Sequence, residues 1–514
     1  MYIAHLLPTY KLEKVIPFLI VRDGMKFRKY DQAQTKFVNL DYRKILGEDS
    51  DPVMIDNIVN ALNLSRIEEK YVEVGNPAYH PKMMVKILVY GYYKGYFGGR
   101  QIHRNYEADI GLRFLSNDDF PDHRTINLFR VNFKDEIVEI FSQVVLLCKE
   151  LGMIGFENLS IDGQKLRANA NVFQNKNLKG IRKETEKIKR QLEKLLEEEL
   201  SFIEGEEEYR ANNRKKKKLE RRKNKLMEAA QLLIDAGAEN DEKMRYNLTD
   251  PDSRIMTDKR GVKNPDYNTQ NAVDDKFQIL TAVDVTDNPN DIGELFPMIE
   301  KSRENTKEYH KNTLADSGYS DKEAYVKMEG DENTDYYVPD RTMHTSRNDP
   351  YCKWNFTYDA HRDVYVCPEG EDISFVRESK DSKGLKYRQY EGTNCSECNK
   401  KEQCLRKKKG KNGGGDRNHN RKVIFYPEDE AVKRMRKKLE TDEGKKIYQK
   451  RMSTVEPVHG EMQKNRGFIQ FFLRGREKVK VEYNLVGIAH NIRKILLHAA
   501  DGLRKFVNGV ENTA

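Results

Sequence analysis

ENLSIDGQKLRANAN (157–171) is the stretch on which the reading of the rest depends. Leu159 and Ile161 alternate with polar neighbours as in a short strand, and Asp162-Gly163 reads as the turn that ends it. TLADSGYSDKEAY (313–325) has a similar form: a strand near Thr313–Ala315, the acid Asp316, then Ser317-Gly318 and a helix over 320–329. Between them, alternation at Tyr267–Val273 and Gln278–Val285 predicts two strands with a turn at Asp274-Asp275-Lys276. A helix should run from about Asp291 to Arg303, with Asp291 as its N-terminal acid, and a short strand should occupy 335–339.

Two stretches interrupt this series. Over residues 176–240, Ile181, Ile188 and Leu195 recur every seven positions, supported by Leu192 and Leu196. Leu219, Leu226, Ala230 and Leu233 continue the pattern after a polar turn, which predicts an antiparallel helical hairpin. Between Arg210 and Lys225 there are ten basic residues and one acid, Glu220, either a solvated face or a DNA-contacting arm. The second interruption, 345–420, is rich in cysteine and basic residues, and helices return over 428–465 and 476–507. Without the interruptions the order is strand, strand, strand, helix, strand, helix, strand, helix. This is an α/β arrangement in the order of the RNase H-like fold. In that fold the first and fourth strands are central neighbours, so Asp162 and Asp316 should converge. The later helix should bring a third acid, with Glu456 in RMSTVEPVHGEMQKN (451–465) the natural choice and Glu461 the alternative. Asp284 lies near a strand end, as a turn or capping residue or else a further catalytic acid, and His459 and His490 read as structural histidines before DNA contacts.

Residues 1–150 read as a helical N-terminal domain. Met84, Ile87, Leu88 and Tyr92, then Ile102, Tyr106, Ile110 and Leu115, keep helical spacing, broken at Gly98-Gly99 and Asp119-Phe120-Pro121. Pro81 suits a first helical turn, and Asp122 starts a second long helix. Arg100, Arg104, Arg113, Arg124 and Arg130 would give a helix-turn-helix type DNA-binding module its charge, or would simply be solvated.

The 514 residues carry 92 Lys and Arg against 83 Asp and Glu, a net +9 that is too small to name a partner by itself. Its distribution matters more, because the basic runs fall in the two interruptions. No apolar run approaches the roughly 18 residues of a membrane span, and the start lacks a signal-peptide pattern, so a cytoplasmic location is expected. Six cysteines are too few for a disulfide scaffold. Cys148 reads as a buried thiol. Cys367, Cys395, Cys398 and Cys404 have the spacing of a closed zinc site, with Cys352 left over or an alternative ligand. Zinc would staple an insertion with little apolar core of its own, flanked by RKKKGK and RNHNRK as DNA-backbone contacts.

Three converging carboxylates repel one another unless a cation lies between them. Hard oxygen ligands suit Mg²⁺ or Mn²⁺, and two such ions support phosphodiester cleavage and transfer. The chain resembles the bacterial insertion-sequence transposases of the DDE type over nearly its whole length. NPAYHPKMMVKILVYGYYKGYFGGRQIHRNYEADIGLRFLSNDDFPDHRTINLFR (76–130) is similar to their N-terminal domain. LSIDGQKLRANAN resembles their first-Asp motif, YNTQNAVDDKFQILTAVDVTDNPND (267–291) their central strands, and LADSGYSDKEAY their second-Asp motif.

The resemblance implies an RNase H-like catalytic domain over 151–514, interrupted at 176–240 and 345–420, with Asp162, Asp316 and Glu456 as the metal-holding catalytic residues. It implies Tyr448, Arg451 and Lys464 as DNA contacts around Glu456, each one residue further from it than in the commonest spacing. The partners implied are double-stranded DNA, as inverted-repeat ends and as target, and a second copy of the chain in a homodimer on the nucleoid. Two other functions remain open: a domesticated, catalytically silent DNA-binding regulator, and an RNase H-like nuclease that does not join strands.

Overall fold

The computed structural model describes residues 41–511 except 72–77, 202–205, 240, 242, 259–260, 347, 383 and 406–418. The chain start and most of the basic stretch 406–422 therefore lie outside the described residues. The described chain opens with α1 (Tyr42–Leu46), α2 (Asp51–Ala61), α3 (Ser65–Glu68), α4 (Pro81–Lys94), α5 (Gly99–Asn105), α6 (Ile110–Ser116), α7 (His123–Asn132) and α8 (Lys134–Glu150). Pro81 occupies the first turn of α4, where no helical N–H is needed. Asp122 caps α7 by accepting from the Thr125 N–H at 2.7 Å. The single helix expected after Asp122 is instead two, because Phe133 leaves helical geometry at φ −112°, ψ 43°.

β1 (Asn158–Arg167) corrects the first reading, for it passes straight through Asp162-Gly163 without turning. The hairpin follows, as β2 (Asn175–Lys176), α9 (Leu178–Ser201), α10 (Glu206–Asp235) and β3 (Tyr246–Asn247). The chain continues through β4 (Arg254–Thr257), β5 (Lys263–Asp274), β6 (Leu280–Thr286), α11 (Leu295–Thr306), β7 (Asn312–Ala315), α12 (Lys322–Glu329) and β8 (Asp335–Tyr337). β6, β5 and β1 are antiparallel neighbours, β4 also pairs with β5, and β7 and β8 extend the sheet from β1 in parallel. β1 stays paired with β5 as far as Arg167, whereas its pairing with β7 ends at Ile161↔Ala315. Beyond that point the sheet opens, with Asp162 and Asp316 next on each side.

The cysteine-rich insertion holds α13 (Met343–Ser346), β9 (Thr357–Asp359), β10 (Val364–Val366), β11 (Asp372–Lys380), β12 (Lys386–Gly392), α14 (Lys401–Cys404) and β13 (Lys422–Phe425). The strands form one antiparallel sheet, β13-β12-β11-β10-β9. Phe356, Tyr365, Ile373, Tyr390, Val423 and Phe425 give it an apolar core, contrary to the expectation that it has little. Tyr365 and Phe425 stack at 3.9 Å between ring centroids.

α15 (Asp429–Glu440), α16 (Asp442–Gly460), α17 (Arg476–His498) and α18 (Ala500–Glu511) complete the described chain. α16 lies across β1 and β5. α17 packs on β6, α4 and α8, so one core contains Leu88, Phe141, Val283 and Ile492 together. Inside it Arg130 is buried, donating to the Tyr92 hydroxyl at 2.6 Å and the Phe97 carbonyl at 2.9 Å. That placement removes Arg130 from the arginines available to DNA. Glu482, also fully buried, accepts from the Phe472 and Leu473 N–H groups at 3.0 and 2.9 Å. Burial lifts Glu482 to about 7, with Arg130 and those N–H groups opposing the rise.

Candidate active site

Because β1 and β7 run parallel and in register up to Ile161 and Ala315, Asp162 and Asp316 follow at adjacent positions, with backbones about 5 Å apart. Asp316 caps the turn after β7 by accepting from the Gly318 N–H at 2.7 Å. Asp162 Oδ1 accepts from the Gly163 N–H, leaving Oδ2 facing α16. From α16, Arg451 Nη1 stands 3.5 Å and His459 Nδ1 3.8 Å from that oxygen. Asn271, opposite Asp162 on β5, donates to His459 Nε2 at 2.9 Å and accepts from the Tyr483 hydroxyl at 2.8 Å. His459 thus stands beside Asp162, although its sequence context favours a structural role over DNA contact.

Arg451 is mostly buried. Burial works against its charge, but Asp162, Tyr448 and Asp316 outweigh it and raise its pKa. Its Nε and Nη1 find no hydrogen-bond partner among the described residues. Buried donors left unpaired cost about 1–3 kcal/mol each, so a phosphate oxygen arriving there would be well received. Tyr448 is on the same helical face. Its hydroxyl pKa is raised by burial, against Arg451 and with Asp316 and Asp162.

Asp291 also reaches this opening, against Gly163 and Gly318. The chain arrives at α11 four residues later than Asp291, so this side chain is no helix-terminal acid. Its Oδ1 accepts from Asn268 Nδ2 and Gln270 Nε2, both on β5 and both at 2.8 Å. A Cβ at Gly163 would stand 2.4 Å from Asp291 Oδ1, and one at Gly318 would stand 3.2 Å from its Oδ2. Glycine beside each of Asp162 and Asp316 is what admits Asp291. Tyr319, whose hydroxyl donates to Gln270 Oε1, has its pKa raised first by burial and then by Asp291, Asp162 and Asp316. Asp284 sits inside β6 as an ion-pair partner of Lys301 and Lys480 rather than at a turn.

Glu456 lies on α16 between Arg451 and His459 and is exposed to solvent. Glu461, the alternative, is instead absorbed into a network with Arg466 Nε at 2.7 Å and His490 Nδ1 at 3.0 Å. Burial would raise its pKa, yet His490 and Arg466 hold it down at about 2. Pro457, inside α16, cannot donate to the Ser453 carbonyl, and Gln278 Nε2 takes that place at 3.1 Å. A π-helical turn over Glu461–Asn465 then carries Lys464 into solvent. Such a turn absorbs an extra residue, the physical counterpart of the longer spacing between Glu456 and Lys464.

With that geometry in view, two family models match the chain. A transposase DDE domain covers residues 366–496, and a transposase domain (DUF772) covers 41–132. Together the two matches support an insertion-sequence transposase of the DDE type. No curated protein matches it significantly. The DDE match contains Tyr448, Arg451, Glu456 and Lys464, while Asp162 and Asp316 precede it.

The N-terminal match contains Arg100 and Arg104 on α5 and Arg124 on α7, all exposed on two helices that pack together. Arg113 instead pairs with Asp118 at 2.8 Å. No helix among the described residues is long and apolar enough to cross a membrane.

In the insertion, Cys367, Cys395, Cys398 and Cys404 line one small cavity of about 30 Å³. Cys352 lies elsewhere, beside Trp354 and Asp429. The Glu371 N–H donates to Cys367 Sγ and the Lys400 N–H to Cys398 Sγ, each at 3.4 Å. Gly392 is required here, since a Cβ would stand 2.5 Å from Cys395 Sγ. Burial raises the pKa values of Cys395 and Cys404. Among the described residues no three His, Cys, Asp or Glu side chains are gathered closely enough to form a metal shell as they stand. The donor types nonetheless fit two different metals: oxygen at the sheet opening, sulfur at the cysteine cavity.

Proposed function

We propose that the chain is a DNA transposase that binds the terminal inverted repeats of its element, cuts them in a metal-dependent reaction and transfers the 3′ ends to target DNA. The observation that carries this reading is the adjacency of Asp162 and Asp316 at the sheet opening, under Arg451 from α16. Three antiparallel strands followed by two parallel ones, in the order β6-β5-β1-β7-β8, support an RNase H-like core. On this reading residues 1–150 are the DNA-binding domain and 151–514 the catalytic domain, with insertions at 176–240 and 345–420.

Asp162, Asp316 and Glu456 would hold Mg²⁺ or Mn²⁺. When bound as a pair, those ions activate the attacking water or 3′-hydroxyl and stabilise the leaving oxygen. Arg451 offers its unpaired donors to the scissile phosphate, and Tyr448 braces it. Lys464, Arg100, Arg104 and Arg124, all exposed, would contact the DNA backbone. A homodimer acting on nucleoid DNA in the cytoplasm would hold the two element ends together.

Asp162→Asn keeps the side chain's size but removes its charge. It is expected to lower strand cleavage in Mg²⁺ by at least about 10³-fold, equal to about 4 kcal/mol of barrier. Full cleavage by that variant would defeat the assignment. For the cysteine cavity the reading is structural Zn²⁺ held by Cys367, Cys395, Cys398 and Cys404. Protein purified reduced and without chelator should contain one zinc per chain by elemental analysis, and chelation should open the insertion to proteolysis. Absence of stoichiometric zinc contradicts this assignment and leaves the catalytic one standing.

A further inference from the structure

The hairpin carries a groove that the catalytic site does not use. Between α9 and α10 lies a concavity of about 670 Å³ whose lining includes Lys194, Lys215, Lys218, Arg221, Arg222 and Lys225, and no carboxylate. Arg222 is tied to Glu184 at 2.7 Å near the foot of the hairpin. The other five are solvent-exposed and form no ion pair among the described residues. Elsewhere on the hairpin, opposite charges do meet, as in Arg182–Glu239 and Lys176–Glu184.

Cations gathered in one concavity repel one another, and the surrounding low-dielectric walls focus their field. Nothing in the hairpin core demands the arrangement, because Ile181, Ile188, Leu226 and Leu233 already fasten the two helices. Lys215, Lys218, Arg222 and Lys225 follow at i, i+3, i+7 and i+10, a single helical stripe. Ten residues of helix span about 15 Å. Over that length one DNA strand carries about four phosphates. Among the described residues, Gln191 is the one uncharged polar side chain on its lining and no aromatic group stands there to stack on bases, so cations dominate and the groove suits a backbone better than a particular sequence.

We propose that this groove clamps the phosphate backbone of double-stranded DNA without sequence preference, holding duplex away from the cutting site. The inference rests on the transposase reading above. Its test uses the full chain without divalent metal and a duplex of arbitrary sequence, titrated with KCl. One variant carries Lys215→Gln, Lys218→Gln, Arg221→Gln and Lys225→Gln. A control neutralises Lys179, Lys189, Lys217 and Lys505, which are exposed outside the groove.

The groove variant should bind at least tenfold more weakly at low salt. The slope of log K against log salt should shrink by about 3 to 4, at about 0.9 for each phosphate no longer neutralised. The control should keep the wild-type slope, and unchanged far-ultraviolet dichroism should show the hairpin folded in both. Wild-type affinity and slope in the groove variant, or equal losses in the control, overturn the groove. Failure of the wild-type chain to bind any duplex overturns the transposase reading itself, which is a separate and recognisable outcome.

Discussion

Replacing Gly163 by alanine is expected to lower the single-turnover rate of strand cleavage by about 100-fold or more. The added Cβ would stand 2.4 Å from Asp291 Oδ1 and 2.8 Å from Gln270 Nε2. Asp291 cannot swing aside freely, since Asn268 and Gln270 both hold that oxygen. Either the carboxylate is expelled or β1 moves, and β1 carries Asp162. A displacement near 1 Å at a reacting centre costs on the order of 10²-fold. Overpacking of this kind also costs about 1–3 kcal/mol of stability. In an Asp291→Ala background the extra stability cost should shrink, because the closest clash is with Asp291 and only the contact with Gln270 Nε2 remains. Cleavage by Gly163→Ala within threefold of wild type would show that the packing of Asp291 against β1 does not position Asp162.

Arg130→Met should have the largest effect on stability, about 3–5 kcal/mol by denaturant unfolding. The guanidinium is buried among Tyr92, Phe97 and Asn127 and helps to restrain the pKa of Glu482. Removing it leaves a fully buried carboxylate with the Phe472 and Leu473 N–H groups and the Tyr92 hydroxyl as donors, and no opposing charge. The pH dependence follows in sign. Glu482 takes up its proton at about 7 in the fold, above the ordinary carboxylate value of 4.5, so the fold binds more protons than the unfolded chain between those values. Stability from this group is therefore greatest in acid and falls as pH rises to about 7. Without Arg130 the folded pKa climbs further and the fall continues to higher pH. The gap between variant and wild type should be small at pH 5 and widest above pH 7. A gap independent of pH would mean that Arg130 and Glu482 are not coupled.

Much of the fold can be read from local chemistry. Pro81 and Asp122 mark helix starts because a missing N–H and a short carboxylate act within their own turn. The strand order survives two long insertions because each strand keeps its own alternation. Asp162 and Asp316 can be paired from that order alone. What local chemistry hides is close approach between distant segments. Asp162-Gly163 looks like a turn, since Asp-Gly usually is one, and only the arrival of Asp291 explains the glycine inside a strand. Asp291 is likewise misplaced as a helix-terminal acid, because its direction depends on the path between β6 and α11.

Arg130 did leave a signal. It lies on the stripe of Ile126, Phe129 and Phe133, where a solvated arginine would be out of place. The core of the cysteine-rich insertion is hard to read because its residues are scattered, Tyr365, Ile373, Tyr390 and Val423 lying on four separate strands. His459 gives no warning, since its partners Asp162 and Asn271 are far away in sequence.

Whether the chain cuts and joins DNA is decided by incubating it with duplexes ending in the inverted repeats that flank its coding region, plus target plasmid and Mg²⁺. Cleavage at the repeat ends and covalent joining of their 3′ ends to the plasmid are predicted, both lost in EDTA. Binding without cleavage, or cleavage without joined product, would contradict the transposase reading.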